Sequence, residues 1–286
     1  MAFETVDGLR IAYELIGEGE HTFGITAGGR YSKDTPGMHE LGAELAKAGY
    51  RTLIWDRPNC GESDMCFDAE NESKMNTAAF AGLLDALHLG PVMLVGGSAG
   101  ARISLMTAIN RPDLVAGLFL LWVAGGPLGL AVLAEHYCFA SAFAANTKGM
   151  EAVADLPAWQ EQLSRNPGNR ERLLDQDPQT FVATMQRWAK SFFPIDDSPV
   201  PGLSEAQLGS IGVPTVILNS GKSDMHHPRY LTEALSKLIP GAKLDDPPWQ
   251  DTAWNDLLES EGMTMYKDWA LLAPKLIAHA QTVWPK

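Results

Sequence analysis

Positive charge and cysteine are both scarce in this sequence. Its 286 residues include 22 Lys and Arg against 35 Asp and Glu, which gives a net charge of −13. An acidic surface repels the phosphates of nucleic acids and of anionic membranes, so neither is expected as a partner. The three cysteines, Cys60, Cys66 and Cys138, form no CxxC pair and no disulfide-like spacing, which favours a reducing compartment.

Long apolar runs are absent as well. No stretch approaches 18 consecutive apolar residues, and the first residues lack the basic and apolar segments of a signal peptide. The sequence therefore predicts a cytoplasmic protein without a membrane span. Its length is sufficient for one large domain, or for one domain with an insertion, around a substantial core.

The stretch from Pro91 to Arg102 carries the strongest local signal. Four apolar residues lead directly into Gly96-Gly97-Ser98-Ala99-Gly100, and helical spacing follows. This layout predicts a buried strand, a sharp turn that carries Ser98, and a helix. The glycines permit a strained turn, and a helix N-terminus favours negative charge near the hydroxyl. Ser98 is therefore predicted to be a nucleophile, the alternative being a capping serine in a glycine-rich turn.

Strand and helix patterns alternate on both sides of this turn. Strands are predicted as a hairpin over residues 3–15 and over residues 22–26, 50–55, 92–95, 115–123, 213–218 and 242–244. Helices are predicted over residues 37–49, 74–89, 99–110, 229–238 and 269–283. Such alternation predicts an α/β fold, in which helices cover both faces of a mostly parallel, doubly wound sheet.

The alternation stops between residues 126 and 205. Only helical patterns occur there, over residues 130–146, near 159–164 and over 177–192. Inserted helices of this size commonly cover a pocket. The sequence therefore predicts a core built from residues 1–125 and 206–286, with an all-helical cap, or lid, over residues 126–205.

Taken together, these patterns resemble the α/β-hydrolase family along nearly the whole chain. The resemblance implies acyl transfer by a serine that is supported by an oxyanion hole. Gly28-Gly29-Arg30 follows a strand where the family places a backbone N–H for the oxyanion, and Ala99 follows the nucleophile and supplies the other.

Two further segments carry the resemblance. The run Asp56…Gly61-Glu62-Ser63 is similar to the family's Asp-x-Arg-Gly-x-Gly-x-Ser loop. Pro58 and Asn59 replace the Arg and the first Gly of that loop. Asp224 follows the strand over residues 213–218 and matches the position of the family's acid, which orients an imidazole. The alternative for Asp224 is a helix-capping role.

The family's histidine is missing from its usual place. The loop after the last predicted strand, residues 244–254, contains none. His227, three residues beyond Asp224, is the first candidate for the base, although an Asp-x-x-His-Pro turn can also be purely local structure. His136, in the predicted lid, is the second candidate, with a substrate contact or a surface position as its alternatives. Adjacent His226 and His227 do not have metal-ligand spacing and no Cys, His or carboxylate cluster accompanies them, so no metal site is predicted. No cofactor is predicted either.

Several residues bear on the substrate. Trp122 and the aromatic side chains within residues 126–205 favour an apolar or aromatic small molecule, the alternative being that these rings serve in packing. Arg30 and Arg102 could each hold a substrate carboxylate by a bidentate contact. For Arg102 a structural ion pair with an aspartate at the sheet edge is favoured, and for Arg30 both possibilities stay open.

Three functions fit these residues. The favoured one is a serine hydrolase that cleaves an ester, lactone, amide or carbon–carbon bond through an acyl-enzyme. The second is a lyase- or isomerase-like catalyst, in which Ser98 polarises a carbonyl and Asp224, Asp246 or Asp251 moves protons. The third is a ligand-binding protein on an inactive scaffold. Covalent labelling of Ser98 by a fluorophosphonate would distinguish the first from the others.

Overall fold

The computed structural model describes residues 1–194, 198–259 and 266–285. The strands are β1 Ala2–Val6, β2 Leu9–Ile16, β3 Thr22–Thr26, β4 Arg51–Trp55, β5 Val92–Gly97, β6 Val115–Leu121, β7 Thr215–Leu218 and β8 Lys243–Asp245. They form one sheet in the order β1-β2-β4-β3-β5-β6-β7-β8. The pairs β1·β2 and β2·β4 are antiparallel and the remaining pairs are parallel. The predicted α/β class with a mostly parallel sheet is confirmed.

Helices cover both faces of the sheet. Those of the core are α1 Met38–Lys47, α2 Glu72–Ala86, α3 Ala99–Asn110, α11 Arg229–Leu238, α12 Ala253–Glu259 and α13 Ala273–Val283. Strand β5 shows the two-sided burial, because Leu94 packs into one apolar cluster while Met93 and Val95 pack into the other. An unbroken apolar run is what a central parallel strand requires.

The described residues between β6 and β7 form helices and connecting loops, without a strand. These are α4 Pro127–Ala134, α5 Ala140–Lys148, α6 Met150–Ala154, α7 Pro157–Arg165, α8 Gly168–Leu174, α9 Pro178–Lys190 and α10 Glu205–Gly209, with a π-helical turn at Glu135–Phe139 between α4 and α5. They have their own apolar cluster around Trp159, Phe181 and Trp188, which also takes in Phe67 of the core. The division of the chain into a core and a lid stays a prediction, and these helices are called the helical segment below.

The run Pro127–Lys148 is apolar and long enough to span a membrane by length and composition alone. Within its most apolar 18 residues, 44% are buried inside the protein. A helix packed inside a protein satisfies the same criterion, so this run carries no membrane assignment. The sequence prediction counted only uninterrupted apolar residues and did not detect it.

The loop after β4 is held together by one buried carboxylate. Asp56 accepts hydrogen bonds from the backbone N–H groups of Lys33 (2.6 Å) and Glu62 (2.9 Å), and burial raises its pKa to about 6. Gly61 has φ +51°, and a Cβ there would collide with the Asp56 carboxylate. Ser63 Oγ donates to the Asp56 carbonyl oxygen at 2.6 Å. The Asp…Gly-x-Ser spacing therefore serves to fold this loop around the Asp56 carboxylate.

Candidate active site

Ser98 lies on a strained turn between β5 and α3. Its backbone has φ 55° and ψ −116°, a conformation that a non-glycine residue adopts at a cost of about 1–3 kcal/mol. A Cβ at Gly96 would strike the Gly100 carbonyl, and a Cβ at Gly100 would strike the Thr26 carbonyl. The glycines on either side of Ser98 therefore allow β5, β3 and α3 to approach one another closely. This close approach lets the serine project from the carboxyl end of β5.

The imidazole of His227 lies between Ser98 and Asp224. Its Nε2 is 3.0 Å from Ser98 Oγ, and its Nδ1 is 3.0 Å from Asp224 Oδ2. Both His227 and Asp224 are buried, with 1% and 3% of their surfaces exposed. These distances fit Nδ1–H donating to the carboxylate, which leaves Nε2 free to accept the serine proton.

Asp224 and His227 occupy a single loop between β7 and α11. Asp224 Oδ1 accepts the backbone N–H groups of His226 and His227, both at 2.9 Å. This local turn orients the carboxylate so that its other oxygen faces the imidazole three residues further on. The Asp-x-x-His segment is therefore a local turn that also places the imidazole beside Ser98. Because this turn already supplies the histidine, the loop after β8 does not need one.

Aromatic rings surround the imidazole on its other sides. The Trp254 ring of α12 packs edge-on against His227 with centroids 4.3 Å apart, and Trp122 stacks on it at 6.3 Å. Trp254 Nε1 donates to His226 Nδ1 at 3.2 Å. Trp122, predicted to contact substrate, is 4% exposed and packs among other rings, so it supports the histidine instead.

The predicted oxyanion residues separate into two groups. Gly28 N–H donates to Tyr266 Oη at 2.8 Å and is not available to a substrate, which corrects the binding role predicted for Gly28. Gly28 instead permits close packing, since a Cβ there would lie 2.7 Å from Ser98 Cβ. Within the described part of the chain, the N–H groups of Gly29 and Ala99 have no hydrogen-bond acceptor. Sequence reasoning missed Tyr266, which is distant along the chain and follows no recognisable motif.

A cavity lies between Ser98 and the helical segment, and we call it the main cavity. Much of its wall is apolar, formed by Ile103, Ala124, Leu130, Leu133, Trp188 and Phe192. A second opening, the side cavity, reaches Ser98 from the direction of His227, Trp254 and Tyr266. Apolar walls with a few polar groups are typical of a site for a small organic molecule.

The two arginines predicted near the site have different environments. Arg30 is 7% exposed and donates through Nε to Glu72 (3.1 Å) and through Nη2 to the Tyr137 carbonyl oxygen (3.2 Å). Its guanidinium also lies 3.9 Å from the centre of the Trp159 ring. Arg30 thus joins the core to the helical segment and already has a carboxylate partner.

Arg102 has no carboxylate partner among the described residues. Its Nη2 donates to the Ser191 carbonyl oxygen at 2.8 Å, and its buried Nε has no acceptor. Among the described residues no aspartate pairs with Arg102, so the structural ion pair stays a prediction. Burial lowers the pKa of its guanidinium to about 10, and the side chain lines the main cavity.

The remaining candidates lie apart from Ser98. His136 belongs to the π-helical turn and lines the side cavity, where its exposed ring packs against Tyr137. Asp246 accepts from Asn219, and Asp251 pairs with Arg229 at the surface. Among the described residues, no group of three or more His, Cys, Asp or Glu is placed to hold a metal ion.

Comparisons with known proteins agree with this architecture. A family model described as "Alpha/beta hydrolase family" matches residues 24–261. The enol-lactonase from Burkholderia xenovorans aligns over 98% of this chain and 100% of its own, with a TM-score of 0.60 and 18% identity. A meta-cleavage product hydrolase structure aligns over 98% of both chains, with a TM-score of 0.64 and 17% identity. These identities show the fold alone.

Curated relatives match a shorter part of the chain. A 2-hydroxy-6-oxononadienedioate/2-hydroxy-6-oxononatrienedioate hydrolase of Burkholderia vietnamiensis is 32% identical over 121 residues, 42% of each chain. A 2-hydroxy-6-oxo-6-phenylhexa-2,4-dienoate hydrolase of Comamonas testosteroni is 32% identical over 127 residues, 44% of this chain and 42% of its own. The matched region thus spans less than half the length of these relatives, which are hydrolases.

Proposed function

This chain belongs to the alpha/beta hydrolase family, and from that membership and the geometry of its site we propose that it is a serine hydrolase. Ser98 is the nucleophile, His227 the general base and acid, and Asp224 the group that orients the imidazole. The observation that carries the proposal is the 3.0 Å separation of His227 Nε2 and Ser98 Oγ. A base within hydrogen-bond reach of the serine favours nucleophilic attack over mere polarisation of a carbonyl.

The reaction follows from these positions. His227 Nε2 accepts the Ser98 proton while Oγ attacks the substrate carbonyl carbon, and Asp224 stabilises the imidazolium that results. The Gly29 and Ala99 N–H groups donate to the negative oxygen of the tetrahedral intermediate. His227 then protonates the leaving oxygen, nitrogen or carbon as its bond to the acyl carbon breaks. A water molecule, deprotonated by the same imidazole, hydrolyses the acyl-enzyme and regenerates Ser98.

In this proposal residues 126–205 act as a lid. They supply Leu130, Trp188 and Phe192 to the main cavity, and these side chains shield the site from bulk water. Exclusion of water strengthens the hydrogen bonds to the oxyanion and protects the acyl-enzyme from other nucleophiles. The apolar walls favour a substrate whose acyl part is apolar or aromatic. The names of the structural and curated relatives favour lactones and unsaturated keto acids among the possible substrates.

Arg102 favours a substrate that also carries an anionic group. Among the described residues no carboxylate pairs with the half-buried guanidinium of Arg102, and a carboxylate of a substrate in the cavity would supply that partner. Arg102→Met should therefore raise the KM of an anionic keto acid or ester about 10- to 100-fold, since a hydrogen bond to a charged group contributes about 1.5–3 kcal/mol. The measurement is steady-state kinetics on an anionic ester and its neutral methyl ester.

Two comparisons make the Arg102 test specific. Hydrolysis of the neutral ester should be nearly unchanged in Arg102→Met. Arg170→Met, which removes an exposed arginine of the helical segment, should leave the KM of both esters as in the wild type. An equal effect of Arg102→Met on the charged and neutral esters would rule out an anion site at Arg102.

The proposed function itself is tested by activity. The purified protein is screened against p-nitrophenyl esters, aryl lactones and 2-hydroxy-6-oxo-dienoates, and Ser98→Ala is assayed on every substrate that is turned over. The proposal predicts that Ser98→Ala retains less than about 10⁻³ of the wild-type kcat, as in other triad enzymes. Full turnover by Ser98→Ala would contradict it.

A further inference from the structure

One hydroxyl other than that of Ser98 lies where the main and side cavities meet. Four residues line both cavities, namely Gly29, Ser98, Leu133 and Tyr137. A substrate carbonyl that Ser98 attacks must occupy this junction, because the serine opens into both spaces. Of these four residues, only Ser98 and Tyr137 carry a hydroxyl.

The Tyr137 hydroxyl lies against the oxyanion glycine. A Cβ at Gly29 would come within 2.8 Å of Tyr137 Oη, so any side chain at Gly29 would displace this phenol. Among the described residues, Tyr137 Oη has no hydrogen-bond partner, although the residue is mostly buried. Its donor is therefore available beside the Gly29 N–H.

The backbone and ring of Tyr137 are fixed from several sides. Its carbonyl oxygen accepts from Arg30 Nη2 at 3.2 Å, and the Arg30 guanidinium lies 5.1 Å from the ring centre. The ring stacks on Phe192 with centroids 6.2 Å apart and planes 11° apart. The π-helical turn Glu135–Phe139 interrupts an otherwise regular helix at this residue. Such turns are frequent at functional sites, since they redirect side chains.

On this basis, and resting on the proposed hydrolase function, we propose that Tyr137 is a further catalytic residue, whose hydroxyl donates a third hydrogen bond to the oxyanion. No proton is transferred: the phenol O–H donates to the carbonyl oxygen as negative charge develops there, and it releases that oxygen when the carbonyl re-forms. Burial raises the pKa of Tyr137 above its ordinary value, so the phenol stays protonated. Because Tyr137 belongs to the helical segment, the oxyanion hole is complete only when that segment covers Ser98.

The test is Tyr137→Phe, which removes the hydroxyl and keeps the ring. We expect kcat to fall about 10- to 100-fold with KM changed less than threefold, because one oxyanion donor contributes up to about 10²–10³ in kcat. Affinity for an aryl trifluoromethyl ketone, which forms a hemiketal oxyanion on Ser98, should fall by a similar factor. Tyr50→Phe, a buried core tyrosine that does not line either cavity, is the matched control and should change neither quantity.

The outcomes separate this inference from the proposed function. Loss of activity in Ser98→Ala together with wild-type kcat in Tyr137→Phe would overturn the role of Tyr137 alone. Full activity in Ser98→Ala would instead overturn the hydrolase proposal.

A second variant covers the case in which Tyr137→Phe does not fold. Incorporation of 4-fluorophenylalanine at position 137 fills the space of the hydroxyl and removes its hydrogen-bond donor. The kcat should then fall about 10- to 100-fold, as in Tyr137→Phe. A wild-type kcat in this variant would overturn the role of Tyr137.

Discussion

At the scale of single residues, the site depends on how one carboxylate divides its hydrogen bonds. Asp224 Oδ1 accepts two backbone N–H groups of its own loop, and Oδ2 faces His227 Nδ1. The first pair fixes the carboxylate, and the second contact sets the tautomer of the imidazole. The chain needs only two segments, the Ser98 turn and the loop between β7 and α11, to bring the three groups together.

Asp224→Asn tests this arrangement. The amide oxygen can still accept the two backbone N–H groups, but the amide NH₂ would face Nδ1 and force the proton onto Nε2. The imidazole then points a proton at Ser98 and cannot act as base. We expect kcat to fall about 10³- to 10⁴-fold with the fold intact, measured by steady-state kinetics and thermal unfolding.

Asp251→Asn is the control for the loss of a carboxylate. Asp251 lies at the surface and pairs with Arg229, so its amide should leave kcat within about twofold of the wild type. The roles given to Asp224 and His227 would be contradicted if Asp224→Asn were as active as Asp251→Asn.

At the scale of secondary-structure elements, hydrophobic periodicity predicted most of the core. The hairpin β1–β2, the central strands, and helices α3, α9 and α11 are close to the predicted ranges. Short helices such as α6, α8 and α12 were missed, because a few residues give too little periodic signal. The predicted helix over residues 130–146 extends over 127–148, and its π-helical turn has no sequence signature.

The loop after β4 offers a test at this scale. Gly61→Ala places a Cβ against the Asp56 carboxylate and strains a backbone at φ +51°. We expect the free energy of unfolding to fall by about 2–4 kcal/mol, from backbone strain and overpacking together. Chemical denaturation of the purified variant measures it.

Gly241→Ala is the matched control for Gly61→Ala. Gly241 has φ +71° in an exposed turn, with no atom within 4 Å of the position of a Cβ. It therefore carries the strain without the collision and should lose only about 1 kcal/mol. Equal losses in the two variants would show that Asp56 does not set the requirement for glycine at position 61.

At the scale of the whole molecule, the site forms where distant parts of the chain meet. The sheet edge presents Ser98, the loop after β7 presents the imidazole, and the helical segment covers both. The sequence pointed to Ser98, Asp224 and His227 because each lies in a short recognisable pattern. It could not place the hydroxyls of Tyr137 and Tyr266 beside Gly28 and Gly29, because contacts between distant segments leave no local periodicity.

The net charge of −13 also belongs to this scale. Against that acidic background, Arg102 is a cation in the main cavity with no carboxylate partner among the described residues. An anionic substrate would therefore be repelled by the surface and attracted within the cavity. Added salt should screen the long-range repulsion more than the buried contact, so salt should raise the association rate of an anionic substrate.

The rate of covalent labelling of Ser98 measures whether the His227 imidazole activates its hydroxyl. A fluorophosphonate is mixed with wild-type protein, Ser98→Ala and His227→Ala at neutral pH, and the labelled fraction is followed by intact mass. We predict one label per wild-type chain, located at Ser98, none in Ser98→Ala, and labelling of His227→Ala slower by about 10³-fold or more. Labelling of His227→Ala at the wild-type rate would show that His227 does not activate Ser98.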